Sequence, residues 1–246
     1  MPHFFIKNNT VLKEKDNYKI TDTENYNHIV KSLRAKIGEE LLLIDNNEIE
    51  YTTVIKEIDS KSINVEIVSK EKSKRDLPYN LYLAQSPLRS DAQLTIMEKA
   101  TELGIRGIYP IYTDNCALKK AVAQSKQKKW QRVMYEASKQ CERANIPTCY
   151  ELTDLETLLT DKKFERIITL CERNTTRSLK EYLSSNPIKK DENLLVIIGP
   201  EGGFSKREFD MFISKNLPML SLGDLILKAE TAVIVTLGNI IYEFDK

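Results

Sequence analysis

Residues 198–205 read Ile-Gly-Pro-Glu-Gly-Gly-Phe-Ser, and residues 222–232 read Leu-Gly-Asp-Leu-Ile-Leu-Lys-Ala-Glu-Thr-Ala. The two stretches hold four of the eight glycines of the chain, and each directly follows a predicted strand. Glycine permits positive φ and lets a ligand come close to the backbone. Open α/β sheets bind ligands at the carboxyl ends of their parallel strands. The pattern therefore predicts binding loops, with a simple turn into the next helix as the alternative for Gly202-Gly203.

From Leu77 onward, strand and helix patterns alternate, which indicates a mostly parallel sheet flanked by helices. The clearest helix has an apolar stripe at three- and four-residue spacing that includes Trp130, so we expect Trp130 in the core. Ser205 and Glu208 have the spacing of a capping box and predict a helix start. The last helix, about 230–244, is apolar on most of its surface and needs a second packing partner, such as another subunit. Strands are predicted at Leu81–Ala84, Ile108–Tyr112, Arg166–Leu170 and Leu194–Ile198.

Residues 1 to about 70 follow a different pattern, with short runs rich in Ile, Val, Leu, Tyr and Thr. Polar breaks at 46–47 and 59–62 separate the later runs, which predicts antiparallel hairpins of a small all-β barrel or sandwich. Further strands are expected at 4–6 and 18–20, and the charged stretch 70–76 is interpreted as a linker. The chain is thus predicted to have two domains, residues 1–72 and 73–246.

Composition narrows the class of protein. With 30% charged and 41% hydrophobic residues, the chain has the balance of a folded globular protein. Its net charge of +1 means that affinity for a polyanion must come from local clusters of lysine and arginine. The four cysteines form no C-x-x-C pair and have no nearby histidine, so reduced thiols and no metal site are expected. The sequence shows neither a secretion signal nor a membrane span, which predicts a cytoplasmic protein without a membrane partner.

The glycine loop at 199–203 is neither a Walker A loop nor G-x-G-x-x-G, which disfavours phosphate binding. Together with residues 222–232, it resembles the paired signature loops of the bacterial 16S rRNA uracil-N3 methyltransferases, a family of the SPOUT class. Residues 28–34, 98–104 and 136–143 resemble further blocks of that family in the same order, so the resemblance spans essentially the full chain. One departure is Lys228, where the family usually has arginine. Lysine keeps the charge but loses the planar fork.

The resemblance implies a fold and an activity. The implied fold is α/β, with a SPOUT-type parallel sheet tied in a C-terminal trefoil knot and a small N-terminal PUA-like β-barrel that helps to grip RNA. The implied activity is S-adenosylmethionine-dependent methylation of N3 of one uridine, uracil 1498 in the family, in 16S rRNA of the small ribosomal subunit. The family pairs two subunits as a homodimer with the cofactor site at their interface. The implied cofactor-binding residues are Leu170, Cys171, Glu172, Ile198, Gly199, Pro200, Glu201, Gly202, Gly203, Leu222, Gly223, Ile226 and Leu227.

Methylation of N3 requires that the N3 proton be removed or that the charge growing on the flanking carbonyl oxygens be stabilised. The reaction needs no metal. The candidate cations are Arg34, Arg143 and Lys228, and Glu230 is the candidate base. Glu230 has an equal alternative, since an acid in the first turn of a helix complements the helix dipole. The alternative for Arg34 is a surface contact on the barrel.

RNA contacts are predicted in two regions. His28 and Arg34 are implied by the family block near the N-terminus, with a structural role as the alternative for His28. Between Asn115 and Tyr135 there are six cations and no acid. Such a run is usually a solvated helix face, but in a nearly neutral protein it also suits phosphate contact. The six cations are Lys119, Lys120, Lys126, Lys128, Lys129 and Arg132.

Two rival functions remain open at this stage. One is a SPOUT methyltransferase for another RNA, acting on a ribose 2′-oxygen or on a different base. The other is a non-catalytic RNA-binding factor of ribosome assembly that has kept the fold. Loss of cofactor binding would support the second rival, whereas the intact glycine loops favour an enzyme.

Overall fold

The computed structural model describes residues 2–6, 17–173, 175 and 177–244. These residues form two compact units. The first contains the described residues up to Asp76 together with Glu142–Asn145, and the second contains those of Leu77–Cys141 and Ile146–Lys246. The short segment Glu142–Asn145 therefore groups with the N-terminal unit, although it follows Leu77 in sequence.

The first unit is a curled five-stranded sheet in the order β1-β3-β4-β5-β2. Strands β1 and β3 are parallel, and the remaining neighbours are antiparallel. A short helix α1 (Thr23–Tyr26) and a π-helical stretch (Asn27–Ser32) follow β2. The strands are β1 (His3–Phe5), β2 (Asn17–Ile20), β3 (Glu40–Ile44), β4 (Ile49–Ile58) and β5 (Ile63–Lys72).

The predicted hairpins of this unit are confirmed, but the predicted linker begins too early. Lys70, Glu71 and Lys72 belong to β5, where they pair with residues 49–51 of β4. The side chains of 70–72 are exposed, so the strand carries charge without burying it. A charged sequence that looks like a linker can therefore be the solvated end of a long strand.

The second unit is an α/β structure, as predicted. Its helices are α2 (Ser90–Glu102), α3 (Lys120–Gln140), α4 (Leu155–Leu158), α5 (Leu179–Ser185), α6 (Lys206–Ser214) and α7 (Ala229–Phe244). Its strands are β6 (Asn80–Gln85), β7 (Gly107–Tyr112), β8 (Thr148–Cys149), β9 (Thr153–Asp154), β10 (Arg166–Leu170), β11 (Arg177–Ser178), β12 (Asn193–Ile198) and β13 (Met219–Ser221).

One parallel sheet runs through the second unit in the order β11-β13-β10-β12-β6-β7-β8. Strand β12 lies at its centre, and alternate side chains of this strand enter two different cores. Leu194, Val196 and Ile198 pack into one core, while Leu195 and Ile197 pack into the other. Because both faces are covered, the strand is a continuous apolar run, as expected of a buried parallel strand.

The helices follow their sequence signals closely. Helix α6 begins after Ser205 with the predicted capping box, in which Ser205 and Glu208 satisfy each other's backbone N–H groups. Trp130 is buried in the core beneath α3, as expected. Helix α7 buries Val233 and Leu237, but Tyr242 on its outer side is 87% exposed. The second packing partner predicted for α7 is found within the chain, in helices α2 and α5, while the outer side of α7 around Tyr242 stays exposed.

Candidate cofactor cavity

Three neighbouring strands end together at one edge of the sheet. Strand β10 lies between β13 and β12, and all three run parallel. Leu170 is opposite Ile198 on one side and Leu220 on the other, so the three strands end at nearly the same level. The loops that follow them, residues 171–173, 199–204 and 222–228, meet at this edge because parallel strands place their carboxyl ends together.

These loops enclose a cavity of about 610 Å³, within the size range of pockets that bind small molecules. All thirteen residues that the resemblance implies for cofactor binding lie in its wall. Chain positions around 170, 198 and 222 are thus brought to one place by the register of the strands. Besides these thirteen, the wall contains Ala92, Arg173, Phe204, Phe209, Leu225, Lys228, Ala229, Glu230 and Ala232.

The glycines of the wall are needed for different reasons. Gly203 has φ +69° and Gly223 has φ +124°, in the left-handed region that disfavours residues with a Cβ atom. Gly202 instead lies against Asn115, since a Cβ atom at this position would come 3.2 Å from the Cβ atom of Asn115. Glycine at 202 therefore permits close approach of a neighbouring loop as well as of a ligand.

The cavity wall combines apolar side chains, backbone groups and a few charges. Leu222, Ile226 and Leu227 are the predicted apolar residues, and Leu225 beside them is 83% exposed. Burial, together with the nearby Glu172, raises the pKa of the Cys171 thiol to about 12, so this thiol stays protonated near neutral pH. The charged side chains of the wall are Glu172, Arg173, Glu201, Lys228 and Glu230.

Two of the four catalytic candidates, Lys228 and Glu230, line the cavity. The Lys228 carbonyl accepts the N–H of Ala232 at 2.8 Å, which starts the hydrogen-bond ladder of α7. Glu230 occupies the first turn of α7 and is therefore placed both to face a ligand and to complement the helix dipole.

The other two catalytic candidates belong to the first unit. Arg143 is 5% exposed, and its guanidinium lies 3.3 Å from the Asp76 carboxylate in a buried ion pair. Arg34 is exposed on the loop after the π-helical stretch and has φ +54°, an uncommon value for a residue other than glycine. Neither residue belongs to the cavity wall found among the described residues.

Arg173 is a cavity arginine that sequence reasoning missed. It lies two residues beyond Cys171 and is exposed at the rim of the cavity. Its position next to Cys171 and Glu172, both implied for cofactor binding, was the available signal. A charged side chain at the end of a buried strand is frequently part of a site on this type of sheet.

Some of the cations of residues 119–132 have an acidic partner in the structure and others show none among the described residues. The Lys120 ammonium lies 2.9 Å from the Asp154 carboxylate, and the Arg132 guanidinium lies 2.5 Å from that of Glu136. Both acids lie outside the acid-free window of the sequence. For Lys119, Lys126, Lys128 and Lys129, which are all exposed, no ion pair is found among the described residues.

The remaining RNA-contact candidate, His28, lies on the π-helical stretch. Its ring packs edge to face against Phe4, with the ring centroids 5.4 Å apart. This contact agrees with the structural role, while the half-buried position leaves part of the ring accessible. The π-helix is rare and often occurs at functional sites.

The described residues show neither a metal-binding cluster nor a membrane-spanning helix. They contain no group of three or more His, Cys, Asp or Glu side chains arranged to hold a metal ion. None of the helices in the described part of the chain is long and apolar enough to cross a membrane. The four cysteines form no disulfide among the described residues, and Cys149 and Cys171 are buried while the other two are partly exposed.

Comparison with known proteins connects this geometry to a function. A family model described as an RNA methyltransferase domain matches residues 75–241, and one described as an RNA methyltransferase PUA domain matches residues 20–68. A ribosomal RNA small subunit methyltransferase E of Bacillus subtilis is 24% identical over 100% of this chain and 98% of its own length. The Aquifex aeolicus protein of the same name is 30% identical over 86% of this chain and 88% of its own.

A solved structure shows the same fold. The putative methyltransferase from Legionella pneumophila, in complex with the bound cofactor S-adenosylmethionine, is 26% identical and matches with a TM-score of 0.82. The match covers 98% of this chain and 97% of the Legionella chain. The fold and the two domain models together define an RNA methyltransferase with an N-terminal PUA domain. Within that class, the chain belongs to the ribosomal RNA small subunit methyltransferase E family.

Proposed function

We propose that this chain transfers a methyl group from S-adenosylmethionine to N3 of one uridine, the family's uracil 1498, in 16S rRNA of the small ribosomal subunit. The observation that carries the proposal is the cavity at the ends of β10, β12 and β13, whose wall contains all thirteen residues implied for cofactor binding. The family membership supports the ribosomal RNA substrate, and the resemblance of the two signature loops supports the choice of N3.

The residues of the wall fit the cofactor. Glycine-rich backbone at 199–203 can present N–H and C=O groups to an adenine edge without side chains intervening. Leu222, Ile226 and Leu227 offer an apolar surface for a purine ring and a thioether chain. When bound, S-adenosylmethionine supplies an electrophilic methyl group on a sulfonium, so this chain's residues have to align the uracil and handle its proton.

Lys228 and Glu230 are the proposed residues for that task, because they are the catalytic candidates in the cavity wall. The Lys228 ammonium would stabilise negative charge on a uracil carbonyl oxygen, and the Glu230 carboxylate would accept the N3 proton. Arg173, from the same wall, is a second cation for the uracil oxygens. In the first unit, the exposed Arg34 is proposed to act only through the RNA, whereas Arg143, buried in its ion pair with Asp76, is proposed to have a structural role.

The RNA is proposed to contact both units. In the first unit, residues 28–34 combine a π-helical stretch with a left-handed Arg34, and unusual backbone of this kind is enriched at functional sites. In the second unit, Lys119 at the start of α3 and Lys126, Lys128 and Lys129 within it, which have no ion pair in the described part of the chain, are proposed to bind phosphates. The paired Lys120 and Arg132 are expected to contribute less, since each already neutralises an acid.

A homodimer is proposed as the working form. The outer side of α7 presents Ile234, Gly238 and Tyr242 at helical spacing, and a Cβ atom at Gly238 would meet nothing within 4 Å. The exposed Leu225 and Ile226 lie at the mouth of the cavity. A second copy that covers these apolar groups would also close the cavity. The trefoil knot, the domain boundaries at 72 and 73, and the cytoplasmic location remain part of the same proposal.

The decisive experiment is transfer of labelled methyl from S-adenosylmethionine to small ribosomal subunits that lack uracil-N3 methylation, followed by mass mapping of the modified nucleoside. Gly202→Trp fills the cavity wall and is expected to abolish both cofactor binding and transfer. Val68→Trp, which introduces the same side chain at an exposed position of β5, is expected to leave cofactor binding intact.

Each outcome distinguishes the rival functions. Label on N3 of one uridine of 16S rRNA, lost in Gly202→Trp, supports the proposal. Label on a ribose or in another RNA would replace the proposed substrate but keep the methyltransferase. Absence of cofactor binding in the unaltered chain would leave only an RNA-binding factor.

The α3 surface is tested by the salt dependence of RNA binding. Each phosphate contact contributes about −0.7 to −0.9 to the slope of log K against log salt concentration. Replacing Lys126, Lys128 and Lys129 with glutamine is therefore expected to make the slope shallower by roughly 2 to 3 units. The same substitution at Lys120, which is paired with Asp154, should change the slope by less than the contribution of one phosphate contact. Equal slopes in all proteins would contradict the assignment.

The dimer is tested by Tyr242→Arg, which places a charge on the proposed interface. We expect a monomer in sedimentation experiments, an unchanged circular dichroism spectrum and loss of methyl transfer. A Tyr242→Phe variant, which keeps the ring, serves as the control and should remain dimeric. A fully active monomer would refute the proposed working form.

A further inference from the structure

Asn115 lies on a loop outside the cofactor cavity, but its side chain binds the glycine loop that forms part of the cavity wall. The side-chain amide of Asn115 donates to the carbonyl oxygens of Gly202 and Gly203, with donor–acceptor distances of 3.3 and 3.1 Å. The absence of a Cβ atom at Gly202 lets Asn115 come this close. One amide thus grips two consecutive peptide groups of the glycine loop.

These two hydrogen bonds fix the orientation of the peptide groups in the glycine loop. In a trans peptide, the C=O and the next N–H point in opposite directions. When the Gly203 carbonyl points to Asn115, the N–H of Phe204 points to the opposite side of the loop. The N–H of Gly203 is used in the turn itself, where it donates to the Pro200 carbonyl at 2.9 Å. Since residues 199–204 line the cavity, a change in this turn changes the shape of the wall.

The loop that carries Asn115 is itself anchored. The N–H of Asp114 donates to the buried Glu208 carboxylate at 3.0 Å, and the Asp114 carboxylate forms a two-point ion pair with Arg207. The hydroxyls of Thr113 and Ser86 lie 2.6 Å apart at the start of this loop. Asn115 is therefore presented from a fixed support, which is the condition for a side chain to position a binding loop.

Resting on the proposed function, we propose that Asn115 is a positioning residue for the cofactor. Its amide keeps the Gly202–Gly203 turn in the conformation that binds S-adenosylmethionine, and it does not contact the methyl group or the uracil. This role predicts weaker cofactor binding without loss of the chemical step. The effect is expected to follow from loss of the amide donor rather than from loss of bulk.

The test is calorimetric titration of S-adenosylmethionine and S-adenosylhomocysteine into the full chain and its Asn115→Ala and Asn115→Asp variants. Loss of two neutral hydrogen bonds is expected to weaken binding about tenfold in Asn115→Ala. Asn115→Asp keeps the size but replaces the donor with an acceptor, so it should lose at least as much at pH 7. Gln124→Ala, which removes an exposed amide from α3, is the control and should bind normally.

Two further measurements separate positioning from general structure. At saturating cofactor, kcat of Asn115→Ala should return to that of the unaltered protein while KM stays raised. The deficit of Asn115→Asp, relative to the unaltered chain at the same pH, should shrink as the pH falls from 7 to about 4, where a carboxyl with the ordinary aspartate pKa of about 3.9 is nearly half protonated and regains an O–H donor. Cofactor binding by Asn115→Ala within twofold of the unaltered chain, or a lowered kcat with unchanged KM, would overturn the inference. Failure of the unaltered chain to bind cofactor would instead refute the proposed function.

Discussion

A single methyl group at Gly203 tests whether backbone conformation, rather than space, requires glycine in the cavity wall. A Cβ atom at this position would have the Glu172 carboxylate as its nearest neighbour, at 3.9 Å, so Gly203→Ala causes no clash. The cost comes from φ +69°, which disfavours residues with a Cβ atom by about 1–2 kcal/mol. Alanine also lowers the conformational entropy of the unfolded chain, which offsets about 0.4–1 kcal/mol of this cost. The expected net loss of stability is therefore about 1 kcal/mol.

Urea unfolding followed by tryptophan fluorescence measures this loss in the right part of the molecule. Trp130 is the only tryptophan and is buried in the core of the second unit, so its emission reports that unit. Gly203→Asn is the matched control, because asparagine tolerates the left-handed region better than alanine and should cost less. An alanine variant as stable as the unaltered chain, or an asparagine variant less stable than the alanine variant, would refute the reasoning.

Three other substitutions or measurements probe separate parts of the second unit. Gly107→Ala places a Cβ atom 2.7 Å from the ring of Tyr150, and overpacking of this kind should cost about 1–3 kcal/mol in the same urea assay. The Asp114 pKa is lowered by hydrogen bonds from Arg207 and Ser205, so its contribution to stability is present above the unfolded pKa of about 3.9 and is lost as the pH falls through the lower folded value. The difference in Tm between the unaltered chain and Asp114→Asn should therefore shrink between pH 5 and pH 3, and a constant difference would contradict this assignment. Burial raises the pKa of Cys149 to about 12, so this thiol should resist Ellman's reagent at pH 8 until denaturant is added.

Helices and strands that are specified by residues close together in the chain could be predicted from the sequence. Strand β10 was expected at 166–170 and has those bounds, because its apolar run is short and bounded by polar residues. The capping box at Ser205 located the start of α6. A helix was also expected after β10 and is present as α5, but its start was not located, although Ser178 and Glu181 form a second capping box there.

What depends on tertiary structure could not be read from the sequence. The acid-free window of α3 predicted six available cations, but Asp154 and Glu136 neutralise two of them from outside that window. The contact of Asn115 with Gly202 was likewise hidden, since nothing in the neighbouring sequence indicates it. The glycine stretches by themselves predicted binding loops at 199–203 and 222–224, but only the resemblance added residues 170–172 to the same site. Arg173, outside the quoted motif, was therefore overlooked.

The central pairing of the large sheet has a consequence for synthesis of the chain. Strand β6 begins at Asn80 and its partner β12 begins at Asn193. The two central strands of the sheet therefore cannot pair until most of the chain has left the ribosome. During that interval β6 and β7 have apolar side chains and an unpaired edge, the features that favour aggregation. The sheet of the first unit pairs its five strands within residues 3–72 and has no such delay, although Glu142–Asn145 joins the unit later. Chaperone demand should therefore be concentrated in the second half of translation, and a stalled chain ending before β12 should be captured by holdases far more readily than the released protein.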